Sequence, residues 1–68
     1  MKISFKENNI LVENGKGNKY IIRKEYIRGT FIQNYFVYEI CDGNNYYLRE
    51  YATLEETLKD LEKGFIEV

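Results

Sequence analysis

Few side chains in this chain are suited to catalysis. It has no histidine and a single cysteine, Cys41, so Ser-His and Cys-His nucleophilic arrangements are excluded within one chain. The run Gly15-Lys16-Gly17 lacks the spacing of a phosphate-binding P-loop, and a strand rather than a helix is predicted after it. The run Asp42-Gly43-Asn44-Asn45 lacks the ligand spacing of a calcium loop and is typical of a turn. We therefore expect a protein that is not an enzyme and holds no metal or cofactor. A hydrolase would need a second chain to complete its site.

Tyrosines are the side chains most suited to a function in binding. The chain contains seven Tyr and four Phe among 68 residues. Tyr and Arg are enriched at binding hot spots, because Tyr offers a large rigid contact area at low entropic cost. We expect a protein-binding surface centred on Tyr35, Tyr47, Arg49 and Tyr51. The competing interpretation is that these rings pack in the core of a small domain.

A second class of function uses the same residue types. Aromatic rings can stack on bases while cations hold phosphates, as in proteins that bind single-stranded nucleic acid. The net charge of −1 counts against this function, as does the lack of an RNP-type motif. Binding of single-stranded nucleic acid is therefore our alternative prediction. Its cations would be Lys19, Arg23, Lys24, Arg28 and Arg49.

The most regular element is a helix predicted over residues 54–63. Thr53 is a suitable N-cap, and Glu56 stands three residues later, where it can reach back to the N–H of the cap as in a capping box. Gly64 is a typical helix stop. Apolar residues recur at helical spacing and predict one face that covers an apolar surface. This stripe consists of Leu54, Leu58, Leu61 and Phe65.

Alternating β-branched and aromatic residues predict an antiparallel sheet before the helix. Gly29 separates two such runs and indicates a hairpin, whereas residues 13–18 are predicted to form a flexible, exposed loop. Residues 65–68 could add a short edge strand. The prediction is an α+β fold, an antiparallel β-meander of four to five strands with one C-terminal α-helix packed on one face, in a single domain of residues 1–68. The strands are predicted at residues 2–6, 10–12, 19–28, 31–41 and 45–51.

The register of the last hairpin decides which rings are exposed. The strand before its turn has an apolar face formed by Phe36, Tyr38 and Ile40. A three-residue loop after Cys41 places Tyr46 and Leu48 on that face, whereas a two-residue loop places Tyr47 and Tyr51 there. We predict the three-residue loop, because it groups the aliphatic Leu48 with the most apolar face. The opposite face would then display Tyr35, Val37, Tyr47, Arg49 and Tyr51.

Charge is distributed unevenly along the chain. Residues 1–34 carry seven Lys and Arg against three Glu, whereas residues 35–68 carry three against eight acidic residues. Such an asymmetry can mark an interaction surface. We favour the other interpretation, an acidic, solvated helix beside a sheet edged with lysines that discourage aggregation.

The small size of the chain also bears on its partners. A domain of 68 residues buries only about 60 % of the surface of its unfolded form, so additional burial in a homodimer is plausible. The free Cys41 fits a reducing compartment, and no stretch approaches the ~20 apolar residues of a membrane span. We expect a cytoplasmic protein without a membrane contact.

In length and layout the chain resembles small single-domain proteins of phages and mobile elements, including anti-CRISPR and other anti-defence inhibitors. The features that carry this resemblance are the meander ending in Tyr46-Tyr47-Leu48-Arg49-Glu50-Tyr51 and the capped helix that follows it. The resemblance implies stoichiometric docking on a larger nuclease or defence protein, without catalysis. It also implies that Glu55, Glu56, Asp60 and Glu62 face a basic nucleic-acid-binding surface of that protein.

Overall fold

The computed structural model describes residues 1–63, which form five strands followed by a helix. The strands make one antiparallel sheet in the order β1-β2-β3-β4-β5, so neighbours in sequence are neighbours in the sheet. The predicted α+β meander with a C-terminal helix is confirmed. The helix stop at Gly64, the stripe position Phe65 and the strand at 65–68 lie outside the described residues. The elements are β1 (Lys2–Lys6), β2 (Asn9–Glu13), β3 (Lys19–Tyr26), β4 (Gln33–Cys41), β5 (Asn44–Tyr51) and α1 (Leu54–Lys63).

The helix packs on one face of the sheet, and the charged residues of the first three strands explain which face. In β3, Lys19 and Arg23 alternate with Tyr20 and Ile22, and only the latter two are buried. Keeping the charges in water turns Tyr20 and Ile22 toward the helix. Strand β4 is bound to β3 in a register that pairs Ile22 with Val37, so Val37 faces the helix too. The buried hydrophobic core consists of Val12, Tyr20, Ile22, Val37 and Leu61.

The start of α1 follows the predicted cap. The hydroxyl of Thr53 accepts a hydrogen bond of 3.2 Å from the N–H of Glu56 and donates one of 3.2 Å to the Glu56 carboxylate. Glu56 therefore reaches back to the cap as predicted, although its partner there is the hydroxyl. The hydroxyl of the buried Thr57 donates to the main-chain carbonyl of Thr53 at 2.8 Å. These contacts fix the first turn of the helix directly after β5.

The loop of residues 14–18 is more ordered than its composition predicts. Asn14 is only 4 % exposed, and its side-chain oxygen accepts hydrogen bonds of 3.0 Å from the N–H groups of Lys16 and Asn18. Its side-chain amide donates a 3.4 Å hydrogen bond to the main-chain carbonyl of Leu61. Asn14 thus closes the loop and joins it to the last turn of α1, while the other residues of the loop remain exposed.

The turn between β4 and β5 differs from the prediction. Cys41 pairs with Asn44, which leaves a two-residue turn whose residues Asp42 and Gly43 both have positive φ. This is the arrangement of a type I′ hairpin turn, which matches the twist of the flanking strands. The predicted three-residue loop is therefore wrong.

A β-bulge in β5 then changes the register again. Tyr38 pairs with Tyr47 and Val37 pairs with Arg49, so Leu48 has no cross-strand partner of its own. Such an extra residue shifts every later side chain to the opposite face. The hairpin therefore follows the two-residue register before Leu48 and the predicted three-residue register after it.

Two consequences correct the predicted faces. Tyr47 lies with Phe36 and Tyr38 rather than with Tyr35, and Tyr46 lies opposite Glu39 rather than beside Phe36. The face of Tyr35, which we predicted to be displayed, carries the helix instead. The alternation of charged and apolar residues in β1–β3 determines which face the helix covers. Strand β4 has apolar residues on both of its sides, so its own pattern does not distinguish the two faces.

Candidate binding surface

The side of the sheet without the helix carries a contiguous apolar patch. One row of the register runs across four strands through Leu11, Ile21, Tyr38 and Tyr47, with Phe36 and Ile40 as the neighbours of Tyr38 on β4. All are half-buried except Tyr47, which is exposed. We call this patch the open face, defined by Leu11, Ile21, Phe36, Tyr38, Ile40 and Tyr47.

Three aromatic rings form a cluster on the open face, and one of them, Tyr47, is exposed. The ring centroid of Tyr47 lies 5.7 Å from that of Tyr38 in an edge-on arrangement and 6.3 Å from that of Phe36. Tyr47 retains 53 % of its exposure. Partial removal from water, then the charge of Glu50 and the neighbouring Tyr38, raise the pKa of Tyr47 above its usual value. The Tyr47 phenol therefore stays protonated and can act as a hydrogen-bond donor at neutral pH.

Charges of both signs border the open face, with cations in the majority. Glu13 stands in register between Lys2 and Lys19, and Arg23 places its guanidinium 5.7 Å from the centroid of the Tyr38 ring. On the β5 side, the amide of Asn34 donates a 2.8 Å hydrogen bond to Glu50. The patch therefore has an apolar centre and a polar rim, the usual anatomy of a protein interface. Its rim consists of Lys2, Lys6, Lys19, Arg23, Glu13, Glu25 and Glu50.

Four of the predicted partner-binding residues join the helix to the sheet instead. The phenol of Tyr51 donates a hydrogen bond of 2.7 Å to Oδ2 of Asp60, and an Arg49 nitrogen lies 3.7 Å from the same oxygen. Tyr35 is half-buried against the core, and the Nζ of Lys24 lies 5.7 Å from the centre of its ring. Tyr35 and Tyr51 therefore pack against the core, as the competing interpretation predicted.

The surroundings of Tyr51 raise the pKa of its phenol. Burial and the hydrogen bond to Asp60 raise the pKa of Tyr51 to about 12, although the nearby Arg49 acts in the opposite direction. A neutral phenol that donates to a carboxylate is thus the stable arrangement at this junction. Tyr51 and Asp60 therefore hold the end of β5 to the middle of α1.

The remaining predicted residues separate into two groups on opposite sides of the molecule. Tyr47 lies on the open face, whereas Glu55, Glu56 and Glu62 are exposed on the helix, which covers the other face. Glu56 also contributes to the N-cap. The structure therefore does not bring the eight predicted residues into one surface. Both sides of the molecule carry charges of both signs: Glu13, Glu25 and Glu50 lie on the open face, and Lys24 and Arg49 lie on the helix side.

Sequence reasoning overlooked most of the open face. Phe36, Tyr38 and Ile40 were assigned to the side away from the binding surface, and Leu11 and Ile21 were not considered. The signal that could have found them lies in β3, where Ile21 occupies the same side as the exposed Lys19 and Arg23. Because paired strands share the two faces of one sheet, the face that carries Lys19 and Arg23 in β3 is also the face away from the helix in the neighbouring strands.

The described residues include no cluster of potential metal ligands. Among residues 1–63, no group of three or more His, Cys, Asp or Glu side chains is placed to hold a metal ion. Cys41 is exposed, with its Sγ 3.9 Å from the Asp42 carboxylate. In the same part of the chain, no helix has the length and apolar character needed to traverse a lipid bilayer. The open face is therefore the strongest candidate for a functional surface.

Comparison with known proteins gives no relative from which a function could be transferred. No protein-family model, no curated protein and no solved structure matches the chain.

Proposed function

We propose that the chain is a non-enzymatic binding module that docks on a larger protein through its open face. The observation that carries this proposal is the ring cluster of the exposed Tyr47 and the half-buried Phe36 and Tyr38, which lies outside the core. Aromatic rings beside the aliphatic Ile21 and Ile40 form a desolvated centre of the kind that supplies most binding energy in protein complexes. The aliphatic neighbours favour a protein partner, because they offer nothing for bases to stack on.

The rim of the open face indicates the chemistry of the partner. It has four cations, Lys2, Lys6, Lys19 and Arg23, against three acidic residues, Glu13, Glu25 and Glu50. A partner with an apolar protrusion and a surround of both signs, slightly richer in acidic groups, would be complementary. The resemblance to anti-defence inhibitors implies that this partner is a nuclease or another defence protein. The acidic helix would then be a second, separate surface, available to oppose a basic nucleic-acid-binding site through Glu55, Glu56 and Glu62.

The test uses matched tyrosine variants. Tyr47→Ala removes a ring from the open face, whereas Tyr26→Ala removes a ring that is 61 % exposed on the helix side of the sheet. A partner captured by the full chain would be identified, purified and recombined with each variant. We expect a one-to-one complex whose affinity falls by about tenfold or more with Tyr47→Ala, in keeping with hot-spot rings, and is unchanged with Tyr26→Ala. Equal affinity for Tyr47→Ala and the unaltered chain would rule out docking through the open face.

A second copy is the main alternative occupant of the same face. Sedimentation equilibrium at several protein concentrations measures this directly. A doubling of mass that Tyr47→Ala abolishes and Tyr26→Ala preserves would assign the open face to a homodimer. A monomer at all concentrations would leave the face free for the proposed partner.

One observation favours binding of single-stranded nucleic acid as the second candidate function. The Arg23 guanidinium lies over the Tyr38 ring, and the exposed Tyr47 ring is next to Tyr38, so a cation and a ring on which a base could stack are close together on the open face. The acidic residues of the helix, Glu55, Glu56, Asp60 and Glu62, stand away from this face, whereas Glu13, Glu25 and Glu50 lie on it. Fluorescence anisotropy with labelled oligothymidylate would detect an affinity that falls steeply with salt and is weakened by Arg23→Ala and Tyr47→Ala. Absent or salt-independent binding would remove this candidate.

A further inference from the structure

The edge strand β1 carries exposed apolar side chains and outward-facing main-chain groups that are not part of the open face. Among the residues that the structure describes, it pairs only with β2, and all five of its residues are exposed. Ile3 and Phe5 pair with Val12 and Ile10, which places them on the helix side of the sheet. The helix does not cover them: Ile3 is 41 % exposed and Phe5 is 75 % exposed. As far as residues 1–63 are concerned, this edge therefore has apolar side chains on the core side that are only partly covered.

The same strand has free main-chain groups in a regular order. Lys6 and Asn9 close a two-residue turn, so they form a hydrogen-bonded pair of the β1–β2 ladder. Hydrogen-bonded pairs alternate along an antiparallel ladder, so Ser4 and Lys2 also bond toward β2. The N–H and C=O groups of Ile3 and Phe5 then point away from the sheet. They can receive another extended chain without breaking any bond of the fold.

A groove lies beside this edge on the helix side. It measures about 360 Å³ and extends from Phe5 across Ile10 to Tyr35 and the first helical residue, Leu54, with Lys24 on its wall. The helix starts at the end of β5 and reaches Asn14 with its last turn, so it crosses the sheet diagonally and leaves this corner open. A large apolar side chain placed opposite Phe5 would have space here.

The charges on β1 discriminate between occupants. Lys2 and Lys6 lie on the side of the open face, at the two ends of the strand. A second copy pairing antiparallel about Ser4 would place Lys2 opposite Lys6 twice, and like charges in opposite positions destabilise a sheet. Lysines of this kind also keep an edge from aggregating, but protection alone does not account for a Phe5 that is 75 % exposed.

We propose that β1 is a docking edge for an extended segment of another protein, added antiparallel to β1 with acidic residues opposite Lys2 and Lys6 and apolar residues opposite Ile3 and Phe5. The pattern that this edge selects is acidic, apolar, any residue, apolar, acidic. Main-chain hydrogen bonds supply affinity in such strand addition, and the alternate side chains supply specificity. This site shares Lys2 and Lys6 with the rim of the open face, but its apolar residues Ile3 and Phe5 lie on the helix side. It does not depend on the function proposed for the open face.

The test uses the full chain labelled with ¹⁵N and the synthetic peptide acetyl-Thr-Glu-Phe-Thr-Val-Glu-Thr-amide. We expect saturable shifts and slowed hydrogen exchange at the amides of Ile3 and Phe5. A peptide with both Glu replaced by Lys should not bind. Ile3→Pro removes an outward N–H without touching the bonds to β2, so it should abolish binding while the fold persists.

Charge reversal gives the sharpest control. In the double variant Lys2→Glu and Lys6→Glu, affinity for the acidic peptide should fall roughly tenfold and the lysine peptide should bind instead. The double variant Lys59→Glu and Lys63→Glu changes net charge equally on the helix and should behave as the unaltered chain. Tyr47→Ala should also bind the peptide normally, which separates this edge from the open face.

Four results would overturn the proposal. These are equal binding of the acidic and lysine peptides, no binding of the acidic peptide, shifts confined to the open face, and Ile3 and Phe5 amides already protected in the chain alone. If that protection depends on protein concentration, the occupant is a second copy. If the protection is independent of protein concentration, the occupant is another segment of the same chain.

Discussion

The phenol of Tyr51 at the end of β5 donates a hydrogen bond of 2.7 Å to Oδ2 of Asp60, nine residues later on α1. This contact spans the connection through Thr53, which caps the helix. Together they fix the direction in which α1 leaves the sheet. The direction matters for function, because it leaves the open face and the β1 corner uncovered.

The Tyr51–Asp60 contact predicts a dependence of stability on alkaline pH. The pKa of Tyr51 is raised from 10.0 to about 12 in the folded chain, so folding favours the neutral phenol. Its contribution is complete below the pKa of the unfolded chain and is lost as pH rises from about 10 through about 12. We expect Tyr51→Phe to lower the free energy of unfolding by about 1 kcal/mol at neutral pH. Urea unfolding at several pH values should show a shallower alkaline decline for this variant.

Tyr26→Phe is the control for that measurement, because Tyr26 is 61 % exposed. It should decline with pH as the unaltered chain does. An identical alkaline decline in Tyr51→Phe and Tyr26→Phe would show that the junction does not contribute to the pH dependence.

Adjacent isoleucines in β3 test the assignment of the two faces. Ile22 is 0 % exposed in the core, whereas Ile21 is half-buried on the open face. We expect Ile22→Ala to cost about 2–5 kcal/mol and to unfold much of this marginal domain, because it leaves a cavity. Ile21→Ala should cost about 1 kcal/mol, since less apolar area is withdrawn from water. Thermal unfolding followed by circular dichroism measures both, and a reversed order would contradict the assigned faces.

Asn14 should be more important for stability than its position in a glycine-rich loop indicates. Its side chain satisfies two loop N–H groups and the carbonyl of Leu61. Asn14→Ala should cost about 1–3 kcal/mol, because these groups lose their partners in a buried position. Lys16→Ala, in the exposed part of the same loop, should cost almost nothing. Similar unfolding midpoints for the two variants would refute the role of Asn14 as the anchor.

Deletion of Leu48 tests the bulge. Without Leu48, Tyr47 can still pair with Tyr38 and Arg49 with Val37, so no side chain changes face. We expect this variant to fold with a stability within about 1 kcal/mol of the unaltered chain. Deletion of Glu50 is the control, because it moves Tyr51 to the other face and removes the bond to Asp60. It should cost more than about 2 kcal/mol. NMR contacts between the Tyr47 and Tyr38 rings would report the register, and their loss on deletion of Leu48 would contradict the pairing.

The elements of the fold were predictable because each depends on residues that are close in sequence. The helix follows from Thr53, Glu56 and the leucine spacing, and a cap needs only groups within one turn. The hairpin around Gly29 and the turn at Asp42-Gly43 follow from residues that accept positive φ. The candidate site was not predictable in the same way, since Tyr47 joins Phe36 and Tyr38 only through pairing between strands.

The amino-acid sequence by itself determined the succession of five strands and a helix, the capped start of that helix and the charged alternation of β1–β3. Only the tertiary structure decided which rings are outside. Strand β4 is apolar on both sides, so its own pattern does not choose a face, and one unpaired residue at Leu48 reverses everything after it. Pairing with β3 makes the choice, because Lys19 and Arg23 must remain in water and every neighbouring strand turns with them.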